Sequence, residues 1–316
     1  MHYESDMTPR ISVCIPTCGR PEHLEDALQS ALSQTPEPFE VVVGDDSEDR
    51  ATAKRIRRYE DEGAPVRYLR NEPSLGQAKN VDRLFREVEG DYIVLLHDDD
   101  RLLRGALSSL LEAIVDRPSV VAVFGKQQVV DSEGNVKTDT TRGVNEGYYR
   151  TSEFEGVQDN GLRSAITQQF PNDGYMVRAE AAKQVGYARP DVGDACDFAF
   201  GVELVRQTGK QFYYVDEFTS QYRQSEQSIV RGDEIDDTAF RALRYVLQNV
   251  SLDIREDPYV RKWLRERAPV AVMQAAQNGY PGQGLKWYFG PYHRARIPTP
   301  GGARRLLFLF YSYFVA

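Results

Sequence analysis

Between Ile11 and Phe124 the hydrophobic positions follow two alternating patterns. Short, mostly apolar runs at Ile11–Pro16, Phe39–Val43, Val66–Leu69, Tyr92–Leu96 and Val120–Phe124 predict five strands. The second of them is too evenly apolar to keep one wet face, which is the signature of a strand covered on both sides. In the segments between, apolar residues return every three or four positions. Leu24, Ala27, Leu28, Ala31 and Leu32 do so within Pro21–Ser33, and Ala78, Val81, Leu84, Phe85 and Val88 within Gly76–Glu89. Helices are also expected over about Arg50–Glu62 and Leu103–Val115. Strand and helix in strict alternation predict a mostly parallel sheet flanked by helices, an α/β fold.

After Gly125 the rhythm changes. Val129–Val136 reads as a hairpin turning at Gly134-Asn135. Thr138–Asn172 is polar, rich in Gly, Thr and Tyr, and reads as a long irregular loop of the kind that carries function. Helices are expected at Ala179–Val185, Ala195–Gln207, Thr238–Asn249 and Tyr259–Gln277, with a strand at Gln211–Val215. No internal repeat is present.

Composition narrows the function. The 316 residues are 41% hydrophobic and 28% charged, the range of a folded globular protein. A net charge of −9 argues against a nucleic-acid partner, which calls for a broad basic surface. Cys14, Cys18 and Cys196 make neither a disulfide set nor a zinc site and read as reduced thiols, with Cys14 packed in the core. The polar stretch Met1–Arg10 lacks the pattern of a signal peptide, and no window reaches the ~18 apolar residues of a membrane span. A cytoplasmic protein is the expectation. The tail Leu306–Ala316, LLFLFYSYFVA, follows Arg304-Arg305. It suits either a helix lying at the inner face of the cell membrane, through residues 304–316, or one docked on the protein's own core or on a second subunit.

In a parallel sheet, ligands collect at the carboxyl ends of the strands. Three polar clusters fall there: Pro16-Thr17-Cys18-Gly19-Arg20, Gly44-Asp45-Asp46-Ser47 and His97-Asp98-Asp99-Asp100. Acids gathered at neighbouring strand ends repel one another unless a cation or hydrogen-bond donors sit between them. A hard divalent ion, Mn2+ or Mg2+, takes oxygen ligands and leaves places for phosphates. An acidic helix cap would account for one Asp of the triplet but not for three. No G-x-G-x-x-G or G-x-x-x-x-G-K-[ST] is present, which argues against a dinucleotide-dependent oxidoreductase and a P-loop phosphotransferase.

The order Pro16-Thr17, then Val43-Gly44-Asp45-Asp46-Ser47, then Asn71 to Asn80, then Gly90-Asp91-Tyr92-Ile93-Val94-Leu95-Leu96-His97-Asp98-Asp99-Asp100 resembles the inverting family 2 glycosyltransferases of GT-A fold. The likeness runs from about Ile11 to Ile229. It implies a GT-A catalytic domain over 1–230, with a nucleotide-binding half at 1–125 and an acceptor-binding half at 126–230, and a C-terminal helical region over 231–316. It also implies a nucleotide-sugar donor, typically of UDP, and a glycan or lipid-linked acceptor. Pro16, Thr17 and Arg20 would border the nucleotide; Asp46 would accept from the base with Asp45 beside it, and Lys79 would lie near the phosphates. Asp99 would bind the metal, Asp100 would support the metal site, and Asp98 would lie near the ribose. His97 stands where the family's first acid usually is, and could hydrogen-bond the nucleotide or touch the metal.

Downstream, Val192-Gly193-Asp194-Ala195-Cys196-Asp197-Phe198 resembles the segment that supplies the family's general base. Asp194 is the candidate and Asp197 the alternate, and a cap on the following helix is the structural role open to Asp194. Gln221-Tyr222-Arg223-Gln224-Ser225-Glu226-Gln227-Ser228 resembles the family's Y-R-x-H-x-x-S with Ser225 at the His position. Arg223 suits a diphosphate contact or a structural ion pair, and Glu226 is a weaker substitute ligand. A sugar nucleotidyltransferase and a non-catalytic sugar- or nucleotide-binding relative are the rival readings.

Overall fold

The computed structural model describes residues 9–224 and 237–315, with side chains except at Asp194 and Val315. The predicted strands form at β1 (Ile11–Thr17), β2 (Glu40–Asp45), β3 (Val66–Arg70) and β4 (Tyr92–Leu95). The predicted helices form at α1 (Pro21–Leu32), α2 (Ala51–Asp61) and α3 (Gln77–Glu87). Next come β5 (Arg101–Leu102), α4 (Ala106–Ile114) and β6 (Val120–Val130). Helix α4 starts three residues later than its apolar spacing suggests. The cause is that Arg101 and Leu102 pair with Gln221 and Ser220 on β9 (Gln211–Arg223), and Leu103 N donates to Thr219 O at 2.9 Å.

Residues 138–172 are not an irregular loop. They hold α5 (Thr138–Gly147), a short 3-10 turn, β7 (Gly156–Val157) and α6 (Gly161–Ile166). Apolar periodicity missed α5 because its inward residues are polar. Thr141 Oγ1 accepts from Val129 N at 2.9 Å, and Asn145 bonds both Gln127 N (3.2 Å) and Gln127 O (2.8 Å), so the helix satisfies the backbone of β6 rather than burying oil. The expected hairpin is reduced to one antiparallel bridge, Val130 to Val136, around a turn in which Asp131 Oδ1 accepts from Glu133 N and Asn135 N, each at 2.9 Å.

The sheet runs β3-β2-β1-β4-β8-β6-β9-β5, where β8 is Met176–Arg178 and β7 pairs with β9. Strands β3, β2, β1 and β4 are parallel, and β8 lies antiparallel between β4 and β6. Chain order turns back between β1 and β4, so the switch-point crevice opens beyond Thr17 and Leu95. Val13, Ile15, Val41, Val43, Val94 and Leu96 form one core with Leu24 and Leu28 of α1 and Leu107 and Leu110 of α4. Val81, Leu84 and Phe85 of α3 are buried outside that core, as right-handed crossovers on opposite faces require.

The chain divides into two compact units. One comprises Met1–Gly161, Gln169–Ala188 and Glu203–Ser225, and carries the sheet with α7 (Ala179–Val185). The other comprises Leu162–Gln168, Arg189–Val202 and Glu226–Ala316. The helix α8 (Cys196–Thr208) begins in the second unit, which also contains α9 (Thr238–Asn249), α10 (Leu252–Glu256), α11 (Pro258–Gln277), α12 (Pro281–Tyr288) and α13 (Pro300–Val315). There Trp263 of α11 stacks on Phe198 with centroids 5.4 Å apart, and α11 packs on α9, α12 and α13.

Candidate functional site

Backbone register brings the predicted clusters together. Thr17 lies opposite Asp45 across β1 and β2, and Leu96 N donates to Cys14 O at 3.0 Å, so all three polar clusters leave the sheet on one edge. Asp100 N then donates to His97 O at 3.2 Å, closing a turn that gathers four polar side chains into one place. None of Asp98, Asp99 or Asp100 caps α4, which begins only at Ala106 after β5 intervenes.

The four residues of that turn are used differently. Asp98 is tied back to β1: its Oδ2 accepts from Thr17 Oγ1 at 2.7 Å, and its Oδ1 lies 3.5 Å from the Arg20 guanidinium. Burial pushes its carboxyl above the ordinary range. Arg20 also donates to Asp99 Oδ2 at 3.0 Å, so one half-exposed cation neutralises two acids. Ligand atoms of His97, Asp99 and Asp100 lie within 4.8 Å of one another. Asp100 Oδ1 accepts from Arg223 N at 2.7 Å, whereas its buried Oδ2 has no hydrogen-bond donor among the described residues. Burial, with Asp173 and Asp99 close by, pushes the Asp100 carboxyl well above its ordinary value. Such a group takes up a proton, which Asp100 can share with Asp173, or a cation.

Across the crevice, the two acids of the β2 end divide their duties. Asp45 is fully buried and committed: Oδ1 accepts from Ser47 N at 2.9 Å and Oδ2 from Tyr68 Oη at 2.6 Å, with Arg70 3.8 Å away. Asp46 Oδ1 accepts from Asn71 Nδ2 at 2.6 Å and from Leu75 N at 3.1 Å. Asn71 also donates to Asn80 Oδ1 at 3.0 Å, and Asn80 Nδ2 donates to Gly44 O at 2.8 Å. A Cβ at Gly44 would run into that Asn80 oxygen and lie 3.0 Å from Leu84 Cγ. The close approach of α3 to β2, and with it the setting of Asp46, therefore requires glycine.

Pro16 pairs with Gly44 within the sheet, and Lys79 is exposed on α3. The Arg223 guanidinium donates to Ser132 O at 2.9 Å and Asp99 O at 3.1 Å and lies 3.6 Å from the Asp26 carboxylate. Asp194 lies in a 3-10 turn, Gly193–Ala195, just before α8, and its side chain is outside the described set. Asp197 is in the first turn of α8. Ser225, Glu226, Gln227 and Ser228 lie outside the described residues.

One buried acid was missed. Asp173, fully buried, accepts from His97 N at 3.1 Å and from Gln127 Nε2 at 3.2 Å, while Gln127 Oε1 accepts from Arg150 Nη1 at 2.7 Å. Burial holds the Arg150 guanidinium down at about 10. In sequence Asn172-Asp173-Gly174 reads as a turn, and nothing local ties it to the end of β4. Only pairing between β8 and β4 does so.

The family model described as Glycosyl transferase family 2 matches residues 12–171. An uncharacterised protein of Mycobacterium tuberculosis is 42% identical over 218 residues, 65% of this chain and 64% of that one. The GalNAc(5)-diNAcBac-PP-undecaprenol β-1,3-glucosyltransferase of Campylobacter jejuni is 30% identical over 129 residues, 40% of this chain and 41% of that one. The chain thus spans less than two thirds of the length of these relatives. The crystal structure of S. aureus TarS 1–349 in complex with UDP superposes with a TM-score of 0.62 at 16% identity, covering 96% of this chain and 91% of that one. The mannosyltransferase PcManGT of Pyrobaculum calidifontis, in complex with GDP-Man and Mn2+, gives a TM-score of 0.54 at 14% identity over 98% of this chain and 87% of its own.

Proposed function

This chain belongs to glycosyl transferase family 2 and has the GT-A fold, and on that premise we propose an inverting transfer of sugar from a UDP-sugar to an acceptor hydroxyl, dependent on Mn2+ or Mg2+. One observation carries the metal-dependent reading. Two carboxylates and an imidazole converge at the switch point, and the buried Asp100 Oδ2 has no donor among the described residues. Such a mixed oxygen and nitrogen set fits a divalent cation, with Asp99, Asp100 and His97 as the residues that would hold it. When bound, the cation offsets the charge that develops on the departing diphosphate.

The chain's own residues do the rest. Asp46, with one oxygen already satisfied by Asn71 and Leu75, presents the other to an N–H of the base, and Pro16 and Thr17 border the same pocket. Thr17 and Arg20 hold Asp98 and Asp99 in place as the ribose and diphosphate settle against them. An acceptor hydroxyl must lose its proton as its oxygen bonds the anomeric carbon and the carbon–diphosphate bond breaks. Asp194 takes that proton, with Asp197 as the alternate; both roles rest on the sequence resemblance.

The acceptor reading draws on the Campylobacter relative, whose name specifies an undecaprenyl-linked acceptor. Nucleotide release from a panel of UDP- and GDP-sugars, with Mn2+, Mg2+ or EDTA, tests the proposal. Turnover should need the ion and fall at least ~100-fold in Asp99→Ala, the size of a lost electrostatic contact to the transition state. Asp194→Asn should lose transfer while still binding nucleotide with metal. Turnover that survives EDTA, or binding of nucleotide diphosphate that ignores both metal and Asp99→Ala, would overturn it.

A further inference from the structure

Helix α13 is apolar on two opposite sides, and only one of them is covered within its unit. Its inner side is well seated. Leu309 is fully buried, packed so closely on Gly284 of α12 that a Cβ there would collide with it, and Gly302 is buried with Tyr288 Oη donating to its carbonyl at 3.1 Å. Arg305 Nε donates to His293 Nε2 at 3.0 Å, while His293 Nδ1 meets Tyr288 O at 2.9 Å. Burial lowers the His293 pKa, which favours the neutral ring that accepts from Arg305. The start and rotation of the helix are fixed by these contacts.

That rotation turns the other side outward. Ala303, Leu307, Phe310 and Phe314 recur at helical spacing on one stripe, with Tyr311 beside it. Leu307 is 70% exposed, Phe310 46%, Tyr311 67% and Phe314 82%. Exposed apolar residues in such an unbroken row mark an interaction surface. The helix is about 24 Å long at 1.5 Å per residue, and no helix among the described residues is long and apolar enough to cross a membrane.

Charge decides what covers the row. From Arg267 to Ala316 the chain has no Asp or Glu, while Arg267, Lys286, Arg294, Arg296, Arg304 and Arg305 are cationic, within a protein of net charge −9. A second copy would bring the same cations against themselves. A peptide partner of matching charge would need acids around an aromatic groove, whereas an anionic bilayer offers negative headgroups above hydrocarbon in the order this surface presents them. We propose that α13 is an interfacial anchor that lies in the plane of an anionic membrane. Leu307, Phe310 and Phe314 enter the acyl boundary, Tyr311 sits at headgroup level, and Arg294, Arg296 and Arg304 pair with lipid phosphates. The proposal rests on this surface alone and does not need the transferase reading.

Vesicle flotation with purified full-length protein tests it, comparing pure phosphatidylcholine with phosphatidylcholine containing 30 mol% phosphatidylglycerol, a fraction of about one lipid in three. Binding should favour the anionic vesicles and weaken as salt is raised from about 0.1 to 1 M, where screening shortens to about 3 Å. Leu307→Ser with Phe310→Ser and Phe314→Ser should cut partitioning by at least ~tenfold. Arg294→Gln, Arg296→Gln and Arg304→Gln should each cost up to about fivefold on anionic vesicles only. Circular dichroism melts confirm that the variants fold; Arg305 is left intact because it anchors the helix. Equal flotation of wild type and triple-serine protein, or no flotation at low salt, would overturn the proposal. So would a dimer, seen by sedimentation without lipid, that the serine variants dissociate.

Discussion

Gly44→Ala is the sharpest test of how the fold sets the site. Gly44 sits in the middle of a buried parallel sheet, where alanine is ordinarily better than glycine by about 0.5–1 kcal/mol. The surroundings reverse that sign. An added Cβ would overlap the Asn80 amide oxygen and crowd Leu84 Cγ at 3.0 Å. Overpacking of this kind costs about 1–3 kcal/mol. Asn80 must then move, loosening its 2.8 Å bond to Gly44 O and its 3.0 Å bond from Asn71, at about 1 kcal/mol for each hydrogen bond lost. The net expectation is a loss of about 2–4 kcal/mol, or a melting temperature lower by roughly 4–16 °C at about 2–4 °C per kcal/mol. Because Asn71 also holds Asp46, affinity for UDP should fall as well, read by calorimetric titration with Mn2+ present. A second arm isolates the cause: in an Asn80→Ala background the colliding oxygen is gone, and Gly44→Ala should cost at least ~1 kcal/mol less. A Gly44→Ala protein that melts at or above wild type refutes the reasoning, since then α3 does not press on β2 as described.

Asp100→Asn keeps an acceptor for Arg223 N but removes a carboxyl whose ionisation burial, Asp173 and Asp99 all oppose, so the metal-free protein should melt higher than wild type. The same change should abolish the stabilisation by Mn2+ with UDP, about 2.7 kcal/mol at a hundredfold excess over Kd; a lower metal-free melting point would count against the charge argument. Asp173→Ala strips the acceptor from His97 N and Gln127 Nε2, at about 1–3 kcal/mol for each buried donor, and urea unfolding should show the loss with Asp173→Asn recovering most of it. The Tyr68 hydroxyl, half-buried and donating to Asp45, is pushed up to about 12. A raised folded-state pKa means its contribution is complete below the free phenol value near 10 and is lost as pH rises through about 12. Tyr68→Phe should therefore be less stable than wild type by about 1–2 kcal/mol at pH near 8, with the gap closing above pH ~11, as followed by denaturant titration.

How far the molecule can be read without its coordinates differs from place to place. The strands of the first half are legible because a strand covered on both faces is largely apolar, and the runs show it even where Ser12, Glu40 and Arg67 interrupt them. The strand-end acids are legible for the converse reason, since nothing in a hydrophobic run explains three carboxylates at its end. Helix α5 was hidden because it docks through Thr141 and Asn145, whose polar side chains complete the backbone of β6. The outward row on α13 was visible as an apolar tail, but which of its sides is covered depends on where Leu309 and Arg305 find their partners.

Within the site, sequence alone determined that acids meet at the carboxyl edge of a parallel sheet, a setting that a divalent cation would suit. Local composition and strand order are enough for that. Tertiary structure decided which acid does what. Asp45 and Asp46 are neighbours in the chain, yet one is consumed by Tyr68 and Ser47 while the other is held by Asn71 and the Leu75 backbone. Asp98 is drawn to Thr17, leaving His97, Asp99 and Asp100 as the clustered candidate ligands, and Asp173 arrives from the turn before β8, 76 residues beyond His97. The physical reason is that a carboxylate's role follows from the donors and charges around it, and those are supplied by segments remote in sequence.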